Sequence, residues 1–356
     1  MALKRLQLLL TVASVLLTVI VLAPPAGAAP EQSVARIKLD EAGVKDITQT
    51  PEGQTGVTSF RQRATTSDDP SMKRAAPSIQ AQSFRVLKVD LPRWATTGKS
   101  VSTNSVPTMT VVAPADVPLS DMTVVVAKGA GSPVASHPEV SSTKPDSIWT
   151  DLEVNITPPP VDSGEESGKA SVAADTYPYT YHHNCFGRQY DPSWGSLAWF
   201  DVCWEFTIQK YDGNPDWNYY SRYHFGTCKT ETNILMYKCG IGGERNGGGT
   251  ISGWRGWAPK QDTTSNCRQI GISVPLYGGL SMSGSYNHCE RSDIIKYDAP
   301  ATFSHYWTSG GNAIHSDDRA VEYQVSWYVP QGGAGATFRA WSPMEVYQNP
   351  CAPETC

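Results

Sequence analysis

The clearest pattern along the chain is the alternation of apolar and polar residues over short segments. Residues 321–329, VEYQVSWYV, place Val, Tyr, Val, Trp and Val on one face of an extended strand and Glu, Gln, Ser and Tyr on the other. Residues 202–208 alternate in the same way, and residues 217–225 do so again after the turn DGNPD at 212–216. Since successive side chains of a strand point to opposite faces, these patterns predict strands, and the last two predict a hairpin.

Glycine-rich turns separate these segments, at 242–249, 277–281 and 331–336. No segment of the second half of the chain has the period of an amphipathic helix. Short strands between such turns are typical of an all-β domain. We therefore predict a β-sandwich for residues 177–356, with a barrel as the second choice.

The first half of the chain also contains strand-like segments, at 84–91, 108–113, 122–128 and 148–156. They predict a small β module over residues 81–156. Residues 29–80 are polar and contain one aromatic residue. Such a segment buries little apolar surface to offset its conformational entropy, so we expect it to be disordered or a pro-region.

Aromatic usage changes sharply near residue 176. Four aromatic residues precede this position and 31 follow it, including all sixteen tyrosines. The segment 157–176 is rich in Pro, Ser, Gly and acidic residues, as is typical of an extended connector. We predict a linker here and a separate aromatic-rich domain after it.

The N-terminus has the pattern of a signal peptide. Lys4 and Arg5 precede an apolar run from Leu6 to Ala23, and Ala26-Gly27-Ala28 supplies small residues before a cleavage site. We predict that residues 1–28 are removed and that the chain is secreted, with a composition typical of an extracellular bacterial protein. No later run has membrane-spanning length, so no span is expected after cleavage.

All the cysteines lie in the second half of the chain, and in an exported protein an even number predicts disulfide bonds. There are eight of them, which allow 105 pairings, and pairing between neighbours is the simplest: Cys185 with Cys203, Cys228 with Cys239, Cys267 with Cys289, and Cys351 with Cys356. The predicted fold is therefore a disulfide-stapled sandwich.

Charge and motifs argue against several classes of function. Without Lys4 and Arg5 the chain has 27 basic and 34 acidic residues and no basic cluster, so nucleic acid is not an expected partner. No His-Glu-x-x-His signature occurs, and the Gly-rich segments match neither phosphate-binding nor dinucleotide-binding spacing. We predict no metal site and no cofactor.

The most specific candidate site is aromatic. In SGWRGWAPK, at 252–260, Trp254, Arg255 and Trp257 lie in a Gly- and Pro-flanked segment that a deeply buried regular strand does not suit. Trp217, Tyr219 and Tyr220 form a second candidate patch. Exposed planar rings beside hydrogen-bonding groups are the surfaces on which sugars and peptides stack.

The leading hypothesis is therefore a secreted, non-catalytic module that binds a glycan, cell-wall or protein surface through exposed aromatic residues. One alternative is a secreted hydrolase made with an N-terminal propeptide, for which the acid–base or metal-binding candidates are His224, Glu205, His315 and Asp317. Another is a toxin subunit, an inhibitor or an assembly component. The nature of the ligand is not specified by any of these patterns.

Overall fold

The structure is a computed structural model that describes residues 33–96, 106–129, 146–157, 179–193, 197–209, 214, 216–231, 234–258, 263–264, 268–275, 281–288, 291–297, 302–308, 319–330 and 336–348. Within these ranges it contains two helices, one 3-10 turn (Leu119–Asp121) and nineteen strands. The helices are α1 (Pro51–Thr66) and α2 (Pro70–Ala81), and the strands are β1 (Ser33–Lys38), β2 (Val44–Asp46), β3 (Phe84–Asp90), β4 (Thr108–Pro114), β5 (Met122–Lys128), β6 (Ile148–Ile156), β7 (Tyr179–Asp191), β8 (Ala198–Gln209), β9 (Trp217–Thr230), β10 (Ile234–Gly248), β11 (Gly253–Ala258), β12 (Thr263–Thr264), β13 (Arg268–Pro275), β14 (Ser281–His288), β15 (Arg291–Tyr297), β16 (Thr302–Thr308), β17 (Arg319–Pro330), β18 (Ala336–Trp341) and β19 (Met344–Gln348).

Two antiparallel sheets pack face to face, as the sandwich prediction requires. The first sheet has the strand order β1-β5-β6-β18-β10-β16-β15-β12, with β19 pairing with both β10 and β6. The second has the order β11-β17-β9-β8-β7-β4-β3-β2. We call them the nine-stranded and the eight-stranded sheet. Strands β13 and β14 form a separate hairpin.

The main core lies between the two sheets and draws on both halves of the chain. It contains aromatic residues from the second half, such as Trp204 and Trp327, and aliphatic residues from the first half, such as Val111 and Val124. Phe206 and Tyr323 belong to it as well. The aliphatic strands of the first half therefore complete a core that the aromatic residues of the second half begin.

The expected boundary at 157–176 does not divide the fold, because strands from both sides of it share both sheets. Strand β4 pairs with β7 in the eight-stranded sheet, and β6 pairs with β18 and β19 in the nine-stranded sheet. Residues 32–356 form one compact unit. The linker itself lies outside the described residues from 158 onward, as do the leader 1–28 and the first residues after it.

The segment expected to be disordered contains α1 and α2, which pack on the outer face of the eight-stranded sheet. Each helix begins at a capping residue followed by proline: the Thr50 hydroxyl accepts a hydrogen bond from the backbone N–H of Gly53 at 3.1 Å, and the Asp69 carboxylate accepts one from that of Met72 at 2.8 Å. Such caps satisfy backbone donors that the first helical turn leaves free.

The two helices bury their apolar faces against the sheet. Phe60 of α1 and Met72 of α2 are buried with Val86, Tyr223 and the Cys185–Cys203 disulfide in a second core cluster. The expectation of disorder was wrong because it counted only the apolar residues of the segment itself. The sheet supplies the aromatic partners that the segment lacks.

A charged contact also holds α1 to the sheet. The guanidinium of Arg63 donates to both carboxylate oxygens of Asp201 on β8, at 2.7 and 2.8 Å. Asp201 is almost fully buried, and the Arg63 guanidinium also lies over the ring of Trp199. Bidentate pairs of this kind are the stronger class of ion pair.

The strand predictions agree closely with the structure. The segments expected at 84–91, 108–113, 122–128 and 148–156 form β3, β4, β5 and β6, and the expected hairpin forms β8 and β9. Residues 321–329 lie within β17. None of the helices in the described part of the chain is long and apolar enough to span a membrane.

Two of the predicted disulfides are present, Cys185–Cys203 between paired residues of β7 and β8, and Cys228–Cys239 between β9 and β10. The second bond links the two sheets. The pairings of Cys267 with Cys289 and of Cys351 with Cys356 lie outside the described residues and stay predictions. The ladder of β13 and β14 ends with Arg268 opposite His288, the sequence neighbours of the first of these pairs.

Candidate functional site

The two candidate tryptophans of SGWRGWAPK lie on β11, the edge strand of the eight-stranded sheet. Trp254 is opposite Trp327 of β17, and Trp257 is opposite Val325. In a regular strand, residues three apart point to opposite faces. Here the register shifts between Trp254 and Gly256, so that Arg255 forms a β-bulge and both indoles face the nine-stranded sheet. The segment therefore forms a strand, but a half-buried edge strand with a bulge rather than a deeply buried regular one.

We call Trp254 and Trp257 the edge indoles. Both are half-buried and pack against the main core, and the ring of Trp254 meets that of Trp327 edge to face at 6.3 Å. Arg255 is exposed. The edge indoles therefore close the rim of the sandwich, and only part of each ring is open to solvent.

A second group of rings lies on the outer face of the same sheet, where β9 begins and β17 ends. Trp217 and Tyr219 point to this face, and Tyr328 lies directly opposite Tyr219. The ring centroids of Trp217 and Tyr328 are 5.3 Å apart at an interplanar angle of 74°, and those of Tyr219 and Tyr328 are 6.0 Å apart. We call these three residues the outer ring cluster. Trp217 and Tyr328 are half-buried, and Tyr219 is buried.

Two local features hold the outer ring cluster in place. The amide oxygen of Asn214 accepts hydrogen bonds from the backbone N–H groups of Asp216 and Trp217, at 2.9 and 3.3 Å, and its amide nitrogen donates to the Tyr219 hydroxyl at 3.3 Å. On the other side, the Tyr328 ring lies over Gly253 of β11, where a Cβ atom would approach its hydroxyl to 2.6 Å. An aromatic ring over a strand glycine protects the exposed backbone.

Tyr220, the third member of the patch predicted from the sequence, does not belong to this surface. It is fully buried in the main core, where its ring stacks on Trp327 at 5.8 Å with an interplanar angle of 8°. Neighbouring residues of a strand point to opposite faces, so Tyr219 and Tyr220 were never able to share one surface. Tyr328 takes its place, and sequence analysis missed it because it lies 109 positions from Tyr219 in the chain.

The acid–base pair of the hydrolase hypothesis is separated by the sheet. His224 lies opposite Trp204 and faces the main core, whereas Glu205 lies opposite Tyr223 and faces the helices. Burial, followed by the charge of Arg222, holds the pKa of His224 well below its usual range. Burial raises the pKa of Glu205. These two side chains therefore form no common site, and His315 and Asp317 lie outside the described residues.

A polar cluster that the sequence did not predict lies beneath the start of α2. The hydroxyls of Ser71 and Tyr223 are 2.6 Å apart, and Tyr223 also donates to the carboxylate of Glu322 at 2.5 Å. The Arg74 guanidinium lies over the ring of Tyr223, and Asp69 caps the helix beside them. Glu322 is fully buried, which raises its pKa well above the ordinary value, and the charge of Asp69 raises it further.

This cluster attaches α2 to the sheet. Its hydroxyls and carboxylates are buried, so a substrate does not reach them while the helix is in place. The alternation in VEYQVSWYV places Glu322 on the polar face of the strand, and in the structure that face is covered as well as the apolar one. The described residues contain no group of three or more His, Cys, Asp and Glu side chains placed to hold a metal ion.

No family model matches the chain, and no curated protein matches it.

Proposed function

We propose that the protein is a secreted, non-catalytic binding module that recognises a glycan, cell-wall or protein surface through the outer ring cluster and the edge indoles. Secretion is inferred from the leader at 1–28, and the two disulfides support it because such bonds persist in oxidising compartments. The observation that carries the proposal is the outer ring cluster, where Trp217 and Tyr328 stay partly open to solvent.

Partly exposed rings fixed by their neighbours suit recognition. Tryptophan and tyrosine offer a large apolar face and a hydrogen-bonding group, and few torsions are lost when a ligand binds. The planes of Trp217 and Tyr328 are 74° apart, so together they present the face of one ring and the edge of the other. This shape favours a single glycan chain or an extended peptide over the flat surface of a crystalline polysaccharide.

The hydrolase alternative has less support, because His224 and Glu205 point into different cores. An interaction protein, such as a toxin subunit, an inhibitor or an assembly component, uses the same kind of aromatic surface. A binding assay distinguishes these alternatives, because each predicts a different ligand or partner protein.

The test is a binding assay with the oxidised, secreted chain against insoluble polysaccharides, isolated cell walls and co-secreted proteins. Trp217→Ala combined with Tyr328→Ala removes the open rings of the outer ring cluster. We expect retention on the matching ligand to fall at least tenfold, because aromatic anchors contribute more than about 1 kcal/mol each at interfaces. Trp254→Ala with Trp257→Ala tests the edge indoles separately.

The matched control is Tyr237→Ala with Tyr347→Ala. These two rings are also half-buried and meet edge to face, at 6.5 Å, but they lie on the nine-stranded sheet. Equal loss of binding in the control and in the outer-ring variant would show a general loss of structure rather than a site. Absence of retention on every surface would refute the proposal.

A further inference from the structure

A group of hydrogen-bond donors without acceptors lies between the two sheets. The donors are Nε and Nη1 of Arg222, Nε2 of His224 and Nε1 of Trp204, none of which has a hydrogen-bond partner among the described residues. The three residues are only 2%, 1% and 2% exposed. Trp204 and His224 lie opposite each other on β8 and β9, and Arg222 is the next residue of β9 on the same face.

The protonation of His224 follows from its neighbours. Nη2 of Arg222 donates to the hydroxyl oxygen of Tyr323, and that hydroxyl lies 3.4 Å from Nδ1 of His224. The tyrosine oxygen accepts from the arginine, so its own proton is available for Nδ1. The imidazole proton of a neutral His224 is then on Nε2, so that Nε2 is a donor like the other three nitrogens of the group.

Neighbouring residues hold the guanidinium of Arg222 in this position. Its guanidinium lies over the rings of Tyr323 and Phe338, at 5.2 Å from each centroid. It also lies against Gly243 of β10, where a Cβ atom would overlap its nitrogens. Two rings and a glycine thus make room for a charged group inside the core.

This buried charge has no counter-ion among the described side chains. No carboxylate of the described residues forms an ion pair with Arg222, and its other contacts are the tyrosine hydroxyl and the two rings. An isolated buried charge costs several kcal/mol of free energy unless something compensates it. Burial lowers the pKa of Arg222 to about 9, so the side chain still carries its charge at neutral pH.

We propose that one small anion of halide size binds between the two sheets and accepts hydrogen bonds from Arg222, His224 and Trp204. The unsatisfied groups only donate, and they carry one positive charge. A water molecule needs acceptors for its own two protons, whereas a halide accepts only and neutralises the guanidinium. The anion is structural, and its binding is independent of the aromatic surface proposed for ligands.

The test is the stability of the full oxidised chain in chloride and in gluconate at one ionic strength, with unfolding by urea. For one site, the unfolding equilibrium constant decreases about tenfold for each tenfold rise in chloride above the dissociation constant. Bromide should act as chloride does, whereas gluconate, an organic anion much larger than a halide, should not. A crystal grown in bromide should show anomalous scattering beside Arg222.

Arg222→Met should abolish the chloride dependence, and Trp204→Phe, which keeps an aromatic ring but lacks the N–H group, should weaken it several-fold. Arg188→Met is the matched control, since Arg188 is also buried between the sheets, and it should keep the dependence. The proposal fails if wild-type stability is the same in chloride and gluconate, or if the dependence survives in Arg222→Met. Should Arg222→Met not fold, the Trp204→Phe response and the bromide position decide the question.

Discussion

Arg188 and Arg222 extend from the eight-stranded sheet across the same core, yet their surroundings differ. Arg188 of β7 donates to the backbone carbonyl of Ser342 at 2.6 Å and lies 3.8 Å from the carboxylate of Asp151 on β6. Arg222 of β9 has a tyrosine hydroxyl and two rings as its partners. Both are fully buried.

The difference shows two ways of placing a charge in a sandwich core. Arg188 lies where the strand between β6 and β10 is interrupted, at the junction of β18 and β19, so that Ser342 offers a backbone carbonyl and Asp151 on β6 a carboxylate. Arg222 lies where the facing strand is continuous and its backbone groups are already used in the ladder with β16 and β18. A broken strand supplies acceptors, and a continuous one does not.

The largest expected effect comes from removing the paired arginine. Arg188→Met leaves Asp151 buried without its counter-ion, so we expect the free energy of unfolding at pH 8 to fall by about 3–5 kcal/mol. Arg222→Met removes an uncompensated charge, and in chloride-free buffer its loss should stay below about 1 kcal/mol. Urea unfolding, without guanidinium chloride, measures both. Equal losses of unfolding free energy in the two variants would show that the counter-ion of Arg188 does not distinguish it energetically from Arg222.

The next effect is a pH dependence at the paired arginine. Burial raises the pKa of Asp151 from its ordinary 3.8 to about 7, with Glu153 adding to the shift and Arg188 opposing it. Between these pH values the folded protein holds a proton that the unfolded chain has lost. Stability therefore decreases as pH rises from about 4 to about 7 and levels off above.

Asp151→Asn should flatten this part of the stability profile while its amide oxygen still accepts the hydrogen bond from the Ser342 backbone, at 2.7 Å in the wild type. The buried Glu322 has a raised pKa as well and shifts stability in the same direction, so the difference between wild type and variant isolates Asp151. Urea unfolding from pH 4 to 8 provides the measurement. Parallel profiles would contradict the prediction.

The smallest effect concerns the space that Arg222 occupies. Gly243→Ala places a Cβ atom on its guanidinium, and we expect a loss of about 1–3 kcal/mol from the forced rearrangement. Gly247→Ala, on the same strand, is the matched control because a Cβ there meets no atom within 4 Å. Combining Gly243→Ala with Arg222→Met should recover most of the loss, since the flexible Met side chain is able to move away. Strict additivity of the two changes would argue against the contact.

The strands were the most predictable part of the molecule. Segments such as 122–128 and 148–156 gave the bounds of β5 and β6 directly, because alternation reports the pleat of the backbone itself. The polar side of each alternation was harder to interpret. Alternation places Asp151 and Glu322 on the polar faces of their strands, but the described part of the chain buries those faces as well.

The candidate site was only partly predictable. Trp217 and Tyr219 were identified correctly as neighbours on one face, whereas Tyr220 belongs to the core and Tyr328 was not foreseen. The edge indoles share a face because of a one-residue bulge at Arg255, which exchanges the faces of the residues that follow it on β11. A bulge leaves no reliable mark in a single sequence.

The sequence by itself determined the all-β class, most strand positions and two neighbouring disulfides, because these depend on local periodicity and on short separations along the chain. Only the tertiary structure decided that the polar segment 51–81 forms two helices, that both halves of the chain share two sheets, and that Arg222 lies in the core with no carboxylate partner among the described residues. Those outcomes depend on contacts between distant residues, such as Arg63 with Asp201 or Arg222 with Gly243. Whether a side chain is buried depends on how the sheets and helices pack together, and the residue pattern of a single strand does not specify that packing.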